Sequence, residues 1–232
     1  MVPGCEAGHL GALGAASVPE IGDWYDKRIY DQRWGKDNDG KDLYNSPSYK
    51  YQVEHYGHPS KVGYKDIIPL WKLENWNPEK LMDLYKKAGA KYFVSMAVHH
   101  DNFDLWNSKN HRWNAVAMGP KRDVVAEWKK AAQKNGLRFG VSEHLGASWW
   151  WSSNKGSDLV GDKVGVPYDG NDPAFADLYW SGNEKPDGFW YPKNAPASFK
   201  QAWFDRIKDL VDQDQPDLLY TDGACPYPEK VS

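Results

Sequence analysis

Three short strings in this chain close an apolar run with groups able to bind, orient or attack a substrate. They are His99-His100-Asp101-Asn102-Phe103-Asp104, Ser142-Glu143-His144 and Thr221-Asp222-Gly223. The third is the most pointed. Pro216-Asp217-Leu218-Leu219-Tyr220-Thr221 has strand character and delivers one carboxylate, Asp222, onto a glycine-marked turn. A carboxylate at the C-terminal end of a buried parallel strand is where barrel enzymes place a nucleophile or a base. Two chemistries are open to such a set. Imidazoles and carboxylates suit zinc or manganese, which makes His99, His100, His144, Asp101 and Asp222 candidate ligands. Successive strand side chains point to opposite faces, so His99 and His100 are expected to diverge, which argues against a common ion. The alternative is covalent: Asp222 attacks an electrophilic carbon while the histidines hold substrate hydroxyls. The sequence contains no glycine-rich phosphate cradle and no Gly-X-Ser-X-Gly elbow.

Each string needs an element to position it, and each follows an amphipathic helix candidate. Pro78 to Ala88 carries Pro in its first turn, Leu81, Leu84, Tyr85 and Ala88 at helical spacing, and Gly89 as a stop. Asp123 to Asn135 sets Val124, Val125, Trp128, Ala131 and Ala132 on one face, then Gly136. Ala197 to Gln213 turns Phe199, Trp203, Ile207, Leu210 and Val211 inward. The strands that follow are expected at 92–98, 137–142 and 218–221. Helix–strand alternation of this kind predicts an α/β fold with a parallel sheet, either open or closed as a (β/α)8 barrel. Two long segments interrupt the pattern. Asp31 to Lys61 is irregular, and Trp149 to Ala195 is a polar insert rich in Gly, Asn, Asp and Pro; loops of that length usually line a site or are mobile.

Composition narrows the partners. A net charge of −3 gives no basic footprint for nucleic acid. No apolar window approaches the ~18 residues that a membrane span requires, and no signal peptide is visible at the N-terminus. The chain holds 13 Trp, 14 Tyr and 7 Phe. Flat rings with apolar faces build small-molecule pockets and stack on sugars, so a sugar is a natural candidate ligand. Trp24, beside Asp23, is the leading platform. Trp76, Trp106 and Trp113 are expected to serve packing, and Trp149, Trp150 and Trp151 either wall a subsite or anchor the insert. His55, His58 and His111 are expected as surface or loop histidines. Cys5 and Cys225 form no disulfide framework, and Cys225 is expected as a free buried thiol.

Taken in order, several strings resemble retaining α-L-fucosidases, glycoside hydrolase family 29. They are Val18-Pro19-Glu20 with Gly22-Asp23-Trp24-Tyr25, Trp76-Asn77-Pro78-Glu79-Lys80-Leu81, Ala88-Gly89-Ala90-Lys91-Tyr92-Phe93, the His99-His100-Asp101 string through Ser108, and Pro216 through Gly223. The resemblance covers residues 17–232. It implies the N-terminal part of a (β/α)8 catalytic barrel with long loops at the strand C-terminal ends, hydrolysis of terminal α-L-fucose from glycoconjugates, and a covalent glycosyl-enzyme. By resemblance Asp222 is the nucleophile, His99 and His100 hold fucose hydroxyls, and Asp23-Trp24 forms a carboxylate–Trp pair in the sugar pocket, where relatives often have Glu. Glu143 and His144 are placed at a strand end that shapes the pocket. No metal and no cofactor is implied, the partner is a fucosylated glycan, export to a secreted or periplasmic setting is the family expectation, and no oligomeric state is implied. Two other readings remain beside it: a non-catalytic carbohydrate-binding protein, and a metal-dependent hydrolase.

The chain departs from the family in two places. The acid/base carboxylate is expected beyond the nucleophile strand and therefore absent from this chain, which predicts little or no activity from the fragment alone. The family's Gly-Ile-Trp-Ala-His-Trp-Gly strand is replaced by Gly8-His9-Leu10-Gly11-Ala12-Leu13-Gly14. The codons GGG CAT CTG GGC GCA CTG GGG encode this peptide, and read one nucleotide later they encode the family string. Residues 1–16 are therefore expected to be an out-of-frame, unstructured leader. The coding DNA tests this, since other synonymous codons would refute it.

Overall fold

The computed structural model describes residues 24–150, 153–180, 187, 194–223 and 225–226. The expected leader, residues 1–16, and Asp23 lie outside the described residues. The elements are α1 (Tyr25–Arg28), β1 (Arg33–Lys36), β2 (Asp42–Tyr44), α2 (Pro47–His55), α3 (Tyr64–Ile67), α4 (Pro78–Lys87), β3 (Tyr92–Val98), α5 (Val124–Lys134), β4 (Arg138–Glu143), α6 (Ala176–Tyr179), α7 (Ala197–Asp214) and β5 (Leu218–Thr221), with short 3-10 turns between them.

The three expected helix–strand pairs form, and their strands make a parallel sheet in the order β3-β4-β5. The helix starts are set locally. Asn77 accepts from the Lys80 backbone N–H at 2.9 Å with Pro78 in the first turn, and Asp123 accepts from Ala126 at 2.8 Å. Such caps satisfy a donor that the helix itself leaves unpaired. In α5 all five expected residues, Val124, Val125, Trp128, Ala131 and Ala132, are buried. The stripe of α4 differs from expectation: Met82 is the buried residue and Leu84 is exposed. Helix α4 packs on α5 rather than broadly on the sheet, so its inward face is narrower than the apolar spacing suggests.

Strand parity assigns the two sheet faces. Phe93, Phe139 and Val141 lie toward the helices, with Phe93 against Trp128 at 4.8 Å between ring centroids. Val94, Gly140 and Leu218 share the opposite face. A Cβ on Gly140 would lie 3.1 Å from Leu218 Cβ and 3.2 Å from Val94 Cγ2, so its bare backbone lets its neighbours close over it. Tyr92, Leu218 and Tyr220 on that face are exposed. Three strands form an arc of sheet and do not themselves close into a barrel.

The two irregular segments are built onto each other. The 31–61 stretch contains the β1–β2 hairpin and α2, which Ser46 caps by accepting from Tyr49 at 3.1 Å. The described part of the insert is anchored to it and to its flanks by two buried carboxylates, and the Asp169 N–H donates to Pro59 O at 3.0 Å. Asp158 accepts from Tyr49 and Tyr168 at 2.8 Å each and sits 3.1 Å from His58 Nε2. Asp169 accepts from Tyr30 at 2.8 Å and Tyr179 at 2.7 Å, with Lys65 Nζ at 3.2 Å. Gly63 makes room for it: a Cβ there would sit 2.0 Å from Asp169 Oδ2. Among the described residues no helix is long and apolar enough to cross a membrane.

Candidate active site

The C-terminal ends of β3, β4 and β5 stand side by side. The His144 N–H donates to Val98 O at 3.0 Å, and the Asp222 N–H donates to Glu143 O at 2.9 Å. The ladder therefore runs one residue past β4 and β5 and fixes where His144 and Asp222 project. His99 and His100 do not diverge as strand alternation predicts. The β3 register is already irregular between Met96 and Val98, and both histidines follow the last strand residue. Alternation no longer applies to them, and both imidazoles meet His144. His99 Nε2 is 3.0 Å from His144 Nδ1. The His100 and His144 ring centroids are 3.8 Å apart, and those of His99 and His100 are 4.7 Å apart.

Trp24 stands edge-on to His100, with centroids 5.5 Å apart. Asp222 Oδ2 is 3.6 Å from His144 Nδ1, and its side chain is 50% exposed, so the carboxylate is at the opening and reachable by a ligand. Gly223 follows at φ 91°, and a Cβ there would meet the His144 ring at 3.3 Å. The turn thus needs glycine both for its backbone and for the approach of that imidazole.

The sequence profile of α-L-fucosidases matches residues 9–231. The chain belongs to the α-L-fucosidase family. The tissue α-L-fucosidase of Rattus norvegicus is 32% identical over 180 residues, which cover 76% of this chain and 32% of that protein. The plasma α-L-fucosidase of Homo sapiens is 33% identical over 135 residues, covering 55% of this chain and 25% of that one. The α-fucosidase of Thermotoga maritima in complex with fucose superposes with a TM-score of 0.59 at 28% identity, covering 86% of this chain and 38% of that chain. This α-L-fucosidase-family chain spans about a third of the length of the curated relatives it matches.

Within this family member the remaining site candidates are placed as follows. Glu143 is on the face of β4 opposite to His144. It is fully buried, accepts from the Leu145 N–H at 3.0 Å, and lies with Thr221 and Trp203, so the structure does not bring it into the imidazole cluster. Burial pushes its carboxyl up from the ordinary value. The His100 imidazole is held neutral, well below the ordinary histidine range, first by burial and then by the nearby His99, His144 and Lys27. A neutral ring can accept from or donate to a sugar hydroxyl. Trp106 and Trp113 are buried and Trp76 packs edge-on against Trp128 at 5.1 Å, in line with their packing role. Trp149 is buried near Phe199, which makes it an anchor; Trp151 lies outside the described residues. Cys225 is free but exposed, not buried.

One residue that holds the His99–Asp104 loop, Arg206, was not singled out from sequence. Arg206 on α7 is buried and grips Asp104 with two nitrogens, Nε at 3.2 Å and Nη2, while Nη1 donates to Asn102 Oδ1 at 2.6 Å. Asn102 donates to Asp177 O and Leu178 O, each at 2.9 Å. His111 Nε2 is 2.8 Å from Asn102 O; burial is the first cause that lowers this imidazole to about 3, and the Arg206 charge adds to it, so His111 is a partly buried loop support. Asn102 sits at φ 63°, a left-handed conformation that Asn tolerates better than other branched or β-carbon residues. Asn102→Gly should lose only side-chain bonds, whereas Asn102→Ala should lose them and add backbone strain. We expect both variants to be destabilised, with Ala below Gly by about 1 kcal/mol. Urea melts test this, and an Ala variant as stable as Gly would contradict it.

Beneath the loop, Asp101 accepts from Tyr64 Oη at 2.6 Å and from the Phe103 N–H at 3.4 Å. Burial pushes its carboxyl from the ordinary 3.8 up to about 6. Between those values the folded chain holds a proton that the unfolded chain has released, so stability falls as pH rises through this window. Asp101→Asn cannot titrate, and its unfolding free energy should fall less steeply from pH 4 to pH 6. Urea melts across that range check the sign; a parallel pair of curves would remove the assignment.

Proposed function

We propose that this chain carries the fucose-binding and nucleophilic part of a retaining α-L-fucosidase acting on terminal fucose of glycoconjugates. The observation that carries the reading is the convergence of Asp222, His144, His99, His100 and Trp24 at the ends of three adjacent parallel strands. Asp222 attacks the anomeric carbon: a C1–O bond to the carboxylate forms, the C1–O bond to the aglycone breaks, and the departing oxygen takes its proton from an acid that none of these residues supplies. Water then opens the ester and restores the carboxylate. His99, His100 and His144 orient the sugar hydroxyls, and Trp24 offers an apolar face to the sugar ring. Glu143 acts through the backbone it fixes. None of these residues is assigned as acid/base, so turnover of an ordinary fucoside by them alone is expected to be close to nil. The parallel strand order and the likeness to the Thermotoga maritima fold support reading the sheet as one arc of a (β/α)8 barrel. The plasma label of one relative supports the secreted setting that the resemblance implies.

An activated donor tests this without an acid. In 2-deoxy-2-fluoro-α-L-fucosyl fluoride the fluoride departs unprotonated and the 2-fluoro group slows the second step. We expect one fucosyl adduct per chain, found by peptide mass spectrometry on Asp222. An adduct on another residue would overturn the assignment of the nucleophile. Binding of free fucose with no adduct would favour a protein that only holds the sugar.

A further inference from the structure

The three imidazoles form a group that the proposed sugar chemistry does not exhaust. One ligating atom from each of His99, His100 and His144 can be chosen so that all three lie within 4.8 Å of one another. His144 Nδ1 has His99 Nε2 at 3.0 Å and Asp222 Oδ2 at 3.6 Å; Asp222 is not one of the three groups that already lie together, and its half-exposed side chain would have to turn in to complete the set. With metal–nitrogen bonds of 2.0–2.1 Å, two ligands of a tetrahedral ion are separated by about 3.3 Å. The His99–His144 pair would open by about 0.3 Å, and the widest imidazole pair would close by at most about 1.5 Å, within reach of small side-chain rotations. Carboxylate and imidazole together are the donor set of late divalent metals.

We propose that His99, His100, His144 and Asp222 bind one late divalent transition-metal ion, such as Zn2+, and that the bound ion closes the mouth to a sugar. The second half rests on the function proposed above. The ion is an inhibitor, not a cofactor, because it engages the carboxylate that would attack the substrate. Binding needs a tautomer change. The proton shared between His99 Nε2 and His144 Nδ1 moves to the far nitrogen of its own ring, and both facing nitrogens then direct lone pairs at the ion. Protonation of the imidazoles competes with the metal, so affinity weakens toward acid.

Co2+ is the probe, since a tetrahedral site gives it visible absorption bands. The full chain is titrated with Co2+ and then with Zn2+ in competition. The expected result is one ion per chain, with bands lost in His144→Ala and His100→Gln, affinity weakened at least tenfold in Asp222→Asn, and no change in His55→Ala at the exposed end of α2. Circular dichroism of each variant separates loss of ligand from loss of fold. Absence of bands in the wild type, or bands that survive in well-folded His144→Ala, would overturn the metal site and leave the fucosyl-labelling test untouched. A stoichiometric ion that leaves the labelling rate unchanged would overturn the closure of the mouth. Added chelator should restore labelling to metal-treated chain and leave metal-free chain unaffected; a loss of labelling with chelator would overturn the inhibitory role.

Discussion

Asp222→Asn should abolish fucosyl labelling. The amide lacks the charge that attacks the anomeric carbon, and loss of a nucleophile of this type costs on the order of 10⁴ or more in rate. Because the Asp222 side chain is half exposed and Asn keeps its size, the fold should not change. Thermal melts and the labelling time course are read on the same samples. Labelling that continues within tenfold of wild type would remove Asp222 from the mechanism. A small external anion such as azide, added to Asp222→Gly, offers a positive control, since it can occupy the space the carboxylate leaves.

Arg206→Met should be the most destabilising of the substitutions considered, by about 3–5 kcal/mol, because removing one partner of a buried ion pair strands the other charge. The stranded group is Asp104, which has no exposed surface, and the same change also removes the donor to Asn102 Oδ1. The companion test is the double variant Arg206→Met with Asp104→Asn. With no charge left behind, it should regain part of the loss. Urea melts give the stabilities, and the fucosyl-labelling rate reports whether the loop bearing His99 and His100 has kept its place. A single variant within ~1 kcal/mol of wild type would show that the pair is not what holds the loop.

The helix–strand pairs were legible because local signals agreed. Pro78 opens one helix, Gly89 and Gly136 stand just past the ends of two, the apolar spacing of 124–132 matches one helix face, and the strands that follow are short and apolar. The convergence of the imidazoles was less so. Alternation argued that His99 and His100 part company, and it failed because β3 ends at Val98 after a register irregularity that no residue in the string marks. Glu143 could have been placed from the pattern: Phe139, Val141 and Glu143 share a parity, and the first two are core residues. Arg206 also left a trace. It lies seven residues after Phe199 on the inward stripe of α7, where a charge demands a buried partner. The anchoring of the insert by Asp158 and Asp169 left none, because those bonds join residues more than a hundred positions apart.

That separation has a consequence on the ribosome. Tyr30 and Tyr49 wait for carboxylates that lie 139 and 109 residues further along the chain. At roughly 5–20 residues synthesised per second, the delay is on the order of ten seconds. Throughout it the tyrosine-rich early half has emerged without its clasp, and a chaperone that shields aromatic segments has its window there.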